Sequence, residues 1–403
     1  MQEHFQARAK QLVAVAAGGP FNTSVFYRAN LFPRMSRFCL LLLLLLVAAR
    51  PACCQTIDTE ATTAYWRLTD ALRRDEPLTD QAWRDFLALP ANKIYVPQVY
   101  DEDDLQRYRQ ALEITYRPRY DSLRRAQLKT GKWFYRLLND YREKELQYRA
   151  FIAETVKNPA FLENMYTYAY AYLPARCRVR PAGLRLYYTA IGDDATSQEG
   201  TAIVFSVWDA YNYQQVRPGI LEAHELHHAL LGQGLTGTEK LVSPPQPGDE
   251  GLLWSLRTAL IEGLADLTDK KVQLEQSADS VDIRARLLRP APRVLQKIDS
   301  AVRVQAGGGP ATPLRFYRQL SNGSNGHLPG FYMAYLIWRN GYGPALLAHA
   351  DDPFAFALLY QQAASRDKDH WHAPIFSATT VRYLRQLSRK YDRPHSAAAI
   401  PAP

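Results

Sequence analysis

The sequence predicts an α+β chain that is mostly helical, on three observations. Apolar residues recur at three- and four-residue spacing over most of the stretch from Thr59 to Tyr391. Only two short runs, Leu184–Ile191 (LRLYYTAI) and Thr201–Trp208 (TAIVFSVW), alternate with period two and are rich in β-branched and aromatic residues. Prolines punctuate the helical stretches of the N-terminal half, at Pro77, Pro90, Pro159 and Pro174.

In chain order, Ala61–Arg74 and Thr79–Leu89 read as short amphipathic helices, the second ended by Pro90. Glu102–Tyr116 and Lys132–Lys157 are longer helical stretches, and Tyr166–Tyr172 alternates in a way that suits either a strand or a helix. The two strands follow, and a polar connector (DAYNYQQVRPG) leads to Pro218, which opens a helix that stops at Gly232 and Gly234. A second helix spans about Gly251 to Lys271, after a Pro/Gly-rich insert (SPPQPGDEG). Further helices are expected at Pro290–Gln305, Gly330–Asn340, Pro344–Ala350, Pro353–Ser365 and Ala378–Tyr391. Residues 55–175 thus form a helical N-terminal region, 176–391 a mixed region, and 392–403 a tail expected to be disordered.

The composition narrows the class. With 403 residues, 47% of them hydrophobic, the chain can bury a substantial core. The net charge is +9, but residues 1–54 hold six basic residues and one acid. The remainder, with 43 basic and 39 acidic residues, is too nearly balanced to expect a nucleic-acid partner. From Met35 the sequence runs MSRFCLLLLLLLVAARPACCQT, with Arg37 before an apolar stretch at Leu40–Ala49 and small residues before Gln55. That is the layout of a secretory signal, too short to span a bilayer, with cleavage expected after Cys54. Residues 1–34 match no targeting segment and fit a start codon assigned too far upstream. The mature chain is therefore expected in the periplasm or outside the cell with no stable membrane span; acylation of Cys53 or Cys54 is the alternative, poorly served by Arg50-Pro51-Ala52. Cys177 alone remains in that mature chain, so a disulfide framework is excluded and any metal must be held by His and carboxylate.

Chemistry concentrates in Leu221–Leu231 (LEAHELHHALL), an HExxH pattern. On a helix His224 and His228 lie about 40° apart, so two imidazoles can share one zinc ion. Glu225, roughly 60° from His228, is placed to take a proton from water at that metal. His227 could pair with His224 at i,i+3, but it lies about 100° from His228 on the other flank and reads as structural. A catalytic zinc needs a third ligand and an open position. On the second helix, Gly251, Ser255, Thr258, Ala259, Glu262 and Asp266 share a face of small side chains that suits close approach by another helix. Glu262 is the candidate ligand, and Asp266 the group that hydrogen-bonds a ligand histidine.

HELHH followed by Glu262-x-x-x-Asp266 resembles the gluzincin metallopeptidases, of which thermolysin is the type. Together, TAIVFSVWDAY, LEAHELHHALL, TALIEGLADL and GHLPGFYMAYLI resemble an uncharacterised bacterial family of zinc-dependent peptidases, over about Leu184–Ala364. The resemblance implies that 176–391 is a zincin-like metallopeptidase region, with one zinc ion per chain on His224, His228 and Glu262, and Glu225 as general base. It also implies a peptide or protein substrate lying along an edge strand at Thr201–Val207, the alternative for that stretch being an ordinary inner strand of a small sheet. His327, before a glycine-containing apolar helix, is the expected donor to the reaction's oxyanion, with Tyr332 the alternative. Two rival readings are an inactive, metal-stabilised peptide-binding module and a helical interaction protein whose motif is accidental. His349, His370, His372 and His395 have no evident partners.

Overall fold

Helices dominate the computed structural model, which describes residues 55–198, 200–235, 245–276, 280–321, 323–367 and 373–391. The leader, the tail 392–403, His370, His372 and His395 lie outside these residues. From Ile57 onward the described residues share one core, and the N-terminal helices contribute to it as fully as the motif-bearing ones.

The N-terminal helices are α1 (Glu60–Arg73), α2 (Asp80–Leu87), α3 (Pro90–Val99), α4 (Glu102–Tyr116), α5 (Asp121–Lys129), α6 (Trp133–Glu143), α7 (Glu145–Ala150) and α8 (Pro159–Ala171). Local chemistry sets several of their starts. The Thr79, Asp101 and Asn158 side chains accept from backbone N–H groups of the first turns of α2, α4 and α8. Pro90 opens α3 instead of merely ending α2, because a first-turn residue needs no N–H. The alternating tyrosines lie on helix α8, where Tyr166 is buried and Tyr168 only partly so. The stretch from Lys132 to Lys157 breaks into α6, α7 and a π-helical turn at Phe151–Val156.

Four strands form one sheet in the order β1-β2-β4-β3: β1 (Ile57–Asp58), β2 (Arg185–Thr189), β3 (Thr196–Gln198) and β4 (Ala202–Ser206). β2 runs parallel to β1 and β4, whereas β3 pairs antiparallel with β4. This corrects the expectation of a free edge at Thr201–Val207. Every residue of β4 is buried, and β2 and β3 occupy both its sides, so its backbone is already paired. The free edge on that side is β3. The connector after Trp208 also differs, because Val207–Gln214 forms α9, capped by the Ser206 hydroxyl accepting from the Asp209 N–H.

The rest comprises α10 (Ile220–Leu235), α11 (Glu250–Gln276), α12 (Ser280–Ile283), α13 (Ala291–Ala306), α14 (Leu314–Leu320), α15 (His327–Ile337), α16 (Gly343–Ala348), α17 (Pro353–Arg366) and α18 (Ala378–Lys390). α11 and α15 nearly touch backbone to backbone. A Cβ on Gly263 would lie 2.4 Å from the Gly330 carbonyl oxygen, and one on Gly330 2.4 Å from that of Ala259. Gly326, at φ +106°, turns the chain into α15 against Thr258. The small face of α11 thus receives α15 as well as α10. Gly330→Ala should destabilise the fold by about 1–3 kcal/mol through overpacking, which thermal unfolding would show as a lowered midpoint.

Candidate metal centre

Helix α10 is buried on nearly every side, so its titratable groups must find partners inside the protein. His224 and His228 face α11 with their Nε2 atoms 3.1 Å apart. Glu262 faces them from α11, with Oε2 3.3 Å from His228 Nε2 and 3.9 Å from His224 Nε2. His327, the first residue of α15, brings its Nε2 to 3.3 Å from the same oxygen. Among the described residues, His224, His228 and Glu262 form one group able to share a cation, and His224, Asp266 and His327 form another.

A second tier of carboxylates holds the histidines. Asp269 Oδ1 accepts from His224 Nδ1 at 3.0 Å, and both Asp266 oxygens lie 3.0 Å from His327 Nδ1. Asp266 stands 3.7 Å from His224, so its closer partner is His327, and the carboxylate beneath His224 is Asp269. Sequence reasoning missed Asp269. It lies seven residues after Glu262, about 20° away around the helix, and that two-turn spacing is the signal that could have found it. Lys270 sits beside both aspartates, with Nζ 2.5 Å from Asp269 Oδ2 and 3.7 Å from Asp266 Oδ1.

His227 points elsewhere, with Nε2 3.1 Å from the Tyr172 carbonyl, and burial pushes its pKa down to about 3, keeping it neutral. Tyr332 is also turned away, its ring against Tyr360 on α17 and its charged neighbours Asp367 and Arg339. Glu225 is half-buried, and its charge acts on His228 and on Asp209 of α9. Asp209, Asp193 and Asp194 extend this anionic region toward the sheet. Burial, and then the charge of Asp194, pushes the Asp193 carboxyl up to about 6. An unfolded Asp titrates near ~3.9, so between there and about 6 the folded chain keeps a proton that the unfolded chain releases. Asp193 should therefore make stability fall as pH rises through this window. Asp193→Asn should make melting curves collected between pH 4 and 7 less steep in pH, with the buried Glu222 and Asp209 carboxyls supplying the slope that remains.

The donor set fits a zinc ion. An Asp269 carboxylate can only accept, so His224 donates from Nδ1 and in its neutral form turns a lone pair at Nε2 toward His228 and Glu262. Two donors about 2.0–2.1 Å from one zinc at tetrahedral angles stand roughly 3.3 Å apart. The three separations here are 3.1, 3.3 and 3.9 Å, the last asking for a small inward move of Glu262 toward His224. Glu262 Oε2 is buried, and the imidazole nitrogens of His228 and His327, each 3.3 Å away, are what it faces. Burial opposes its ionisation, but His228 and His327 outweigh that and hold its carboxyl well below the usual range. Burial likewise lowers His327, and Asp266 with Glu262 overcomes it, lifting His327 to about 9. A pocket that draws protons this strongly draws a divalent cation for the same reason.

A mostly helical α+β chain brings histidines and carboxylates from adjacent helices to a group that could hold a metal ion. The model of one family, described as "Putative zinc dependent peptidase (DUF5700)", matches residues 83–369, well over half of the chain. The protein belongs to that family. No curated protein and no solved structure matches it.

Proposed function

We propose that the protein is a zinc metallopeptidase of gluzincin type, hydrolysing peptide bonds with His224, His228 and Glu262 as metal ligands. The convergence of two imidazole nitrogens and a buried Glu262 oxygen from adjacent helices, near enough to share one ion, carries the reading. Zinc held there would supply a Lewis acid for the scissile carbonyl and lower the pKa of a water toward neutrality. Glu225, adjacent to His224 and half-open to solvent, takes the proton from the attacking water and passes it to the leaving amine. His327 approaches from α15, and Asp266 fixes its Nδ1 so that Nε2 faces the reaction side and donates to the oxyanion. Asp269 holds His224 in the tautomer a ligand needs.

Peptides or proteins are the substrates on this reading, met outside the cytoplasm if the leader at 35–54 directs export. No helix among the described residues is long and apolar enough to cross a membrane. The test is hydrolysis of a mixed peptide library by purified protein. Cleavage should stop with a chelator and return with added zinc. Bound zinc without any cleavage would instead support an inactive, metal-stabilised peptide-binding protein.

A further inference from the structure

We propose that Lys270 is the resident counter-charge of the metal centre: it neutralises Asp266 and Asp269 so that the metal-free site stays folded, and lowers the site's zinc affinity in return. This inference rests on the zinc reading above and concerns a residue that coordinates nothing. Asp266 and Asp269 are both fully buried, and each serves a histidine of the site. Lys270 Nζ reaches Asp269 Oδ2 at 2.5 Å while Oδ1 of the same carboxylate faces His224, so one carboxylate is shared between an ammonium and an imidazole. The same ammonium lies 3.7 Å from Asp266 and 5.5 Å from the centre of the Tyr213 ring, which closes over it from α9.

The charge balance explains the arrangement. Glu262, Asp266 and Asp269 bring three negative charges into a buried pocket, and Lys270 brings one positive charge. With the imidazoles neutral, as metal binding requires of ligands, the remainder is −2, which a divalent cation would cancel. Without the lysine the metal-free pocket would hold one more uncompensated negative charge, and buried like charges at this spacing are costly. The ammonium also draws electron density from Asp269, weakening its hold on the His224 Nδ1 proton and making His224 a poorer donor to a metal. Both effects favour the metal-free form over the loaded one.

The test compares wild type with Lys270→Met and Lys270→Arg, with and without zinc, by thermal unfolding and by zinc competition against a chelator at pH 8. Lys270→Met should lower the metal-free midpoint by roughly 5–10 °C, and zinc should restore most of that loss. Its zinc affinity should rise about tenfold or more, as the linkage between binding and stability requires. Lys270→Arg, which keeps the charge, should stay close to wild type in both. If Lys270→Met folds only with zinc present, the same conclusion holds in stronger form. Equal losses with and without zinc, or an unchanged or weakened zinc affinity, would overturn the proposal and leave Lys270 an ordinary buried ion pair. A wild type that binds no zinc would instead overturn the metallopeptidase reading, and this proposal with it.

Discussion

Glu225→Gln should reduce peptide hydrolysis by about 10²–10⁴-fold while the protein keeps its zinc and its fold. The amide has nearly the same shape as the carboxylate but cannot accept a proton at neutral pH. Glu225 is half-buried on α10 and takes no part in the Asp266–Asp269–Lys270 network, so the substitution leaves those ion pairs in place. Retained metal with lost turnover separates its role from that of the ligands. A variant with full activity would mean that another group, such as Asp209 across from it, takes the proton.

Glu262→Ala should have the largest effect on metal binding. Wild type gains stability from zinc in proportion to the logarithm of the ligand excess, about 2.7 kcal/mol at a hundredfold excess over Kd, and the variant should gain almost none. Its metal-free form should be less stable too, because the ionised carboxylate is the counter-charge of His228 and His327, so the readout is the zinc-dependent shift and not the absolute midpoint. Melting curves with and without zinc would show the difference. A zinc-dependent shift as large as that of wild type would remove Glu262 from the ligand set.

Much of this centre is legible in the sequence because its key residues sit on two helices at helical spacing. His224 and His228 are four apart, Glu262 and Asp266 likewise, and periodicity alone puts each pair on one face. Pairing the two helices was an inference from ligand need, and the packing of α10 against α11 agrees with it. What the sequence hides is tertiary. Asp269 was within reach of the same periodic reasoning, but which of two acids on one face lies beneath His224 depends on the angle at which the helices pack. β4 looked like a free strand because strand pairing is long-range, and nothing in TAIVFSVW reveals that β3 closes its second side. Its five buried residues do agree with an inner strand, so the apolar run was itself a hint. The connector after Trp208 reads as polar, yet Ser206 caps it into α9, from which Asp209 and Tyr213 reach the centre. The contact of Gly263 with Gly330 depends on two helices 67 residues apart meeting at their backbones, which no local pattern encodes.

The placement of one zinc ion between α10 and α11 is tested most directly by an anomalous difference map recorded at the zinc absorption edge from crystals of the purified protein. A single peak about 2.0–2.2 Å from His224 Nε2, His228 Nε2 and a Glu262 carboxylate oxygen is the predicted result. No peak there, or a peak held instead by Asp266 and His327, would contradict it.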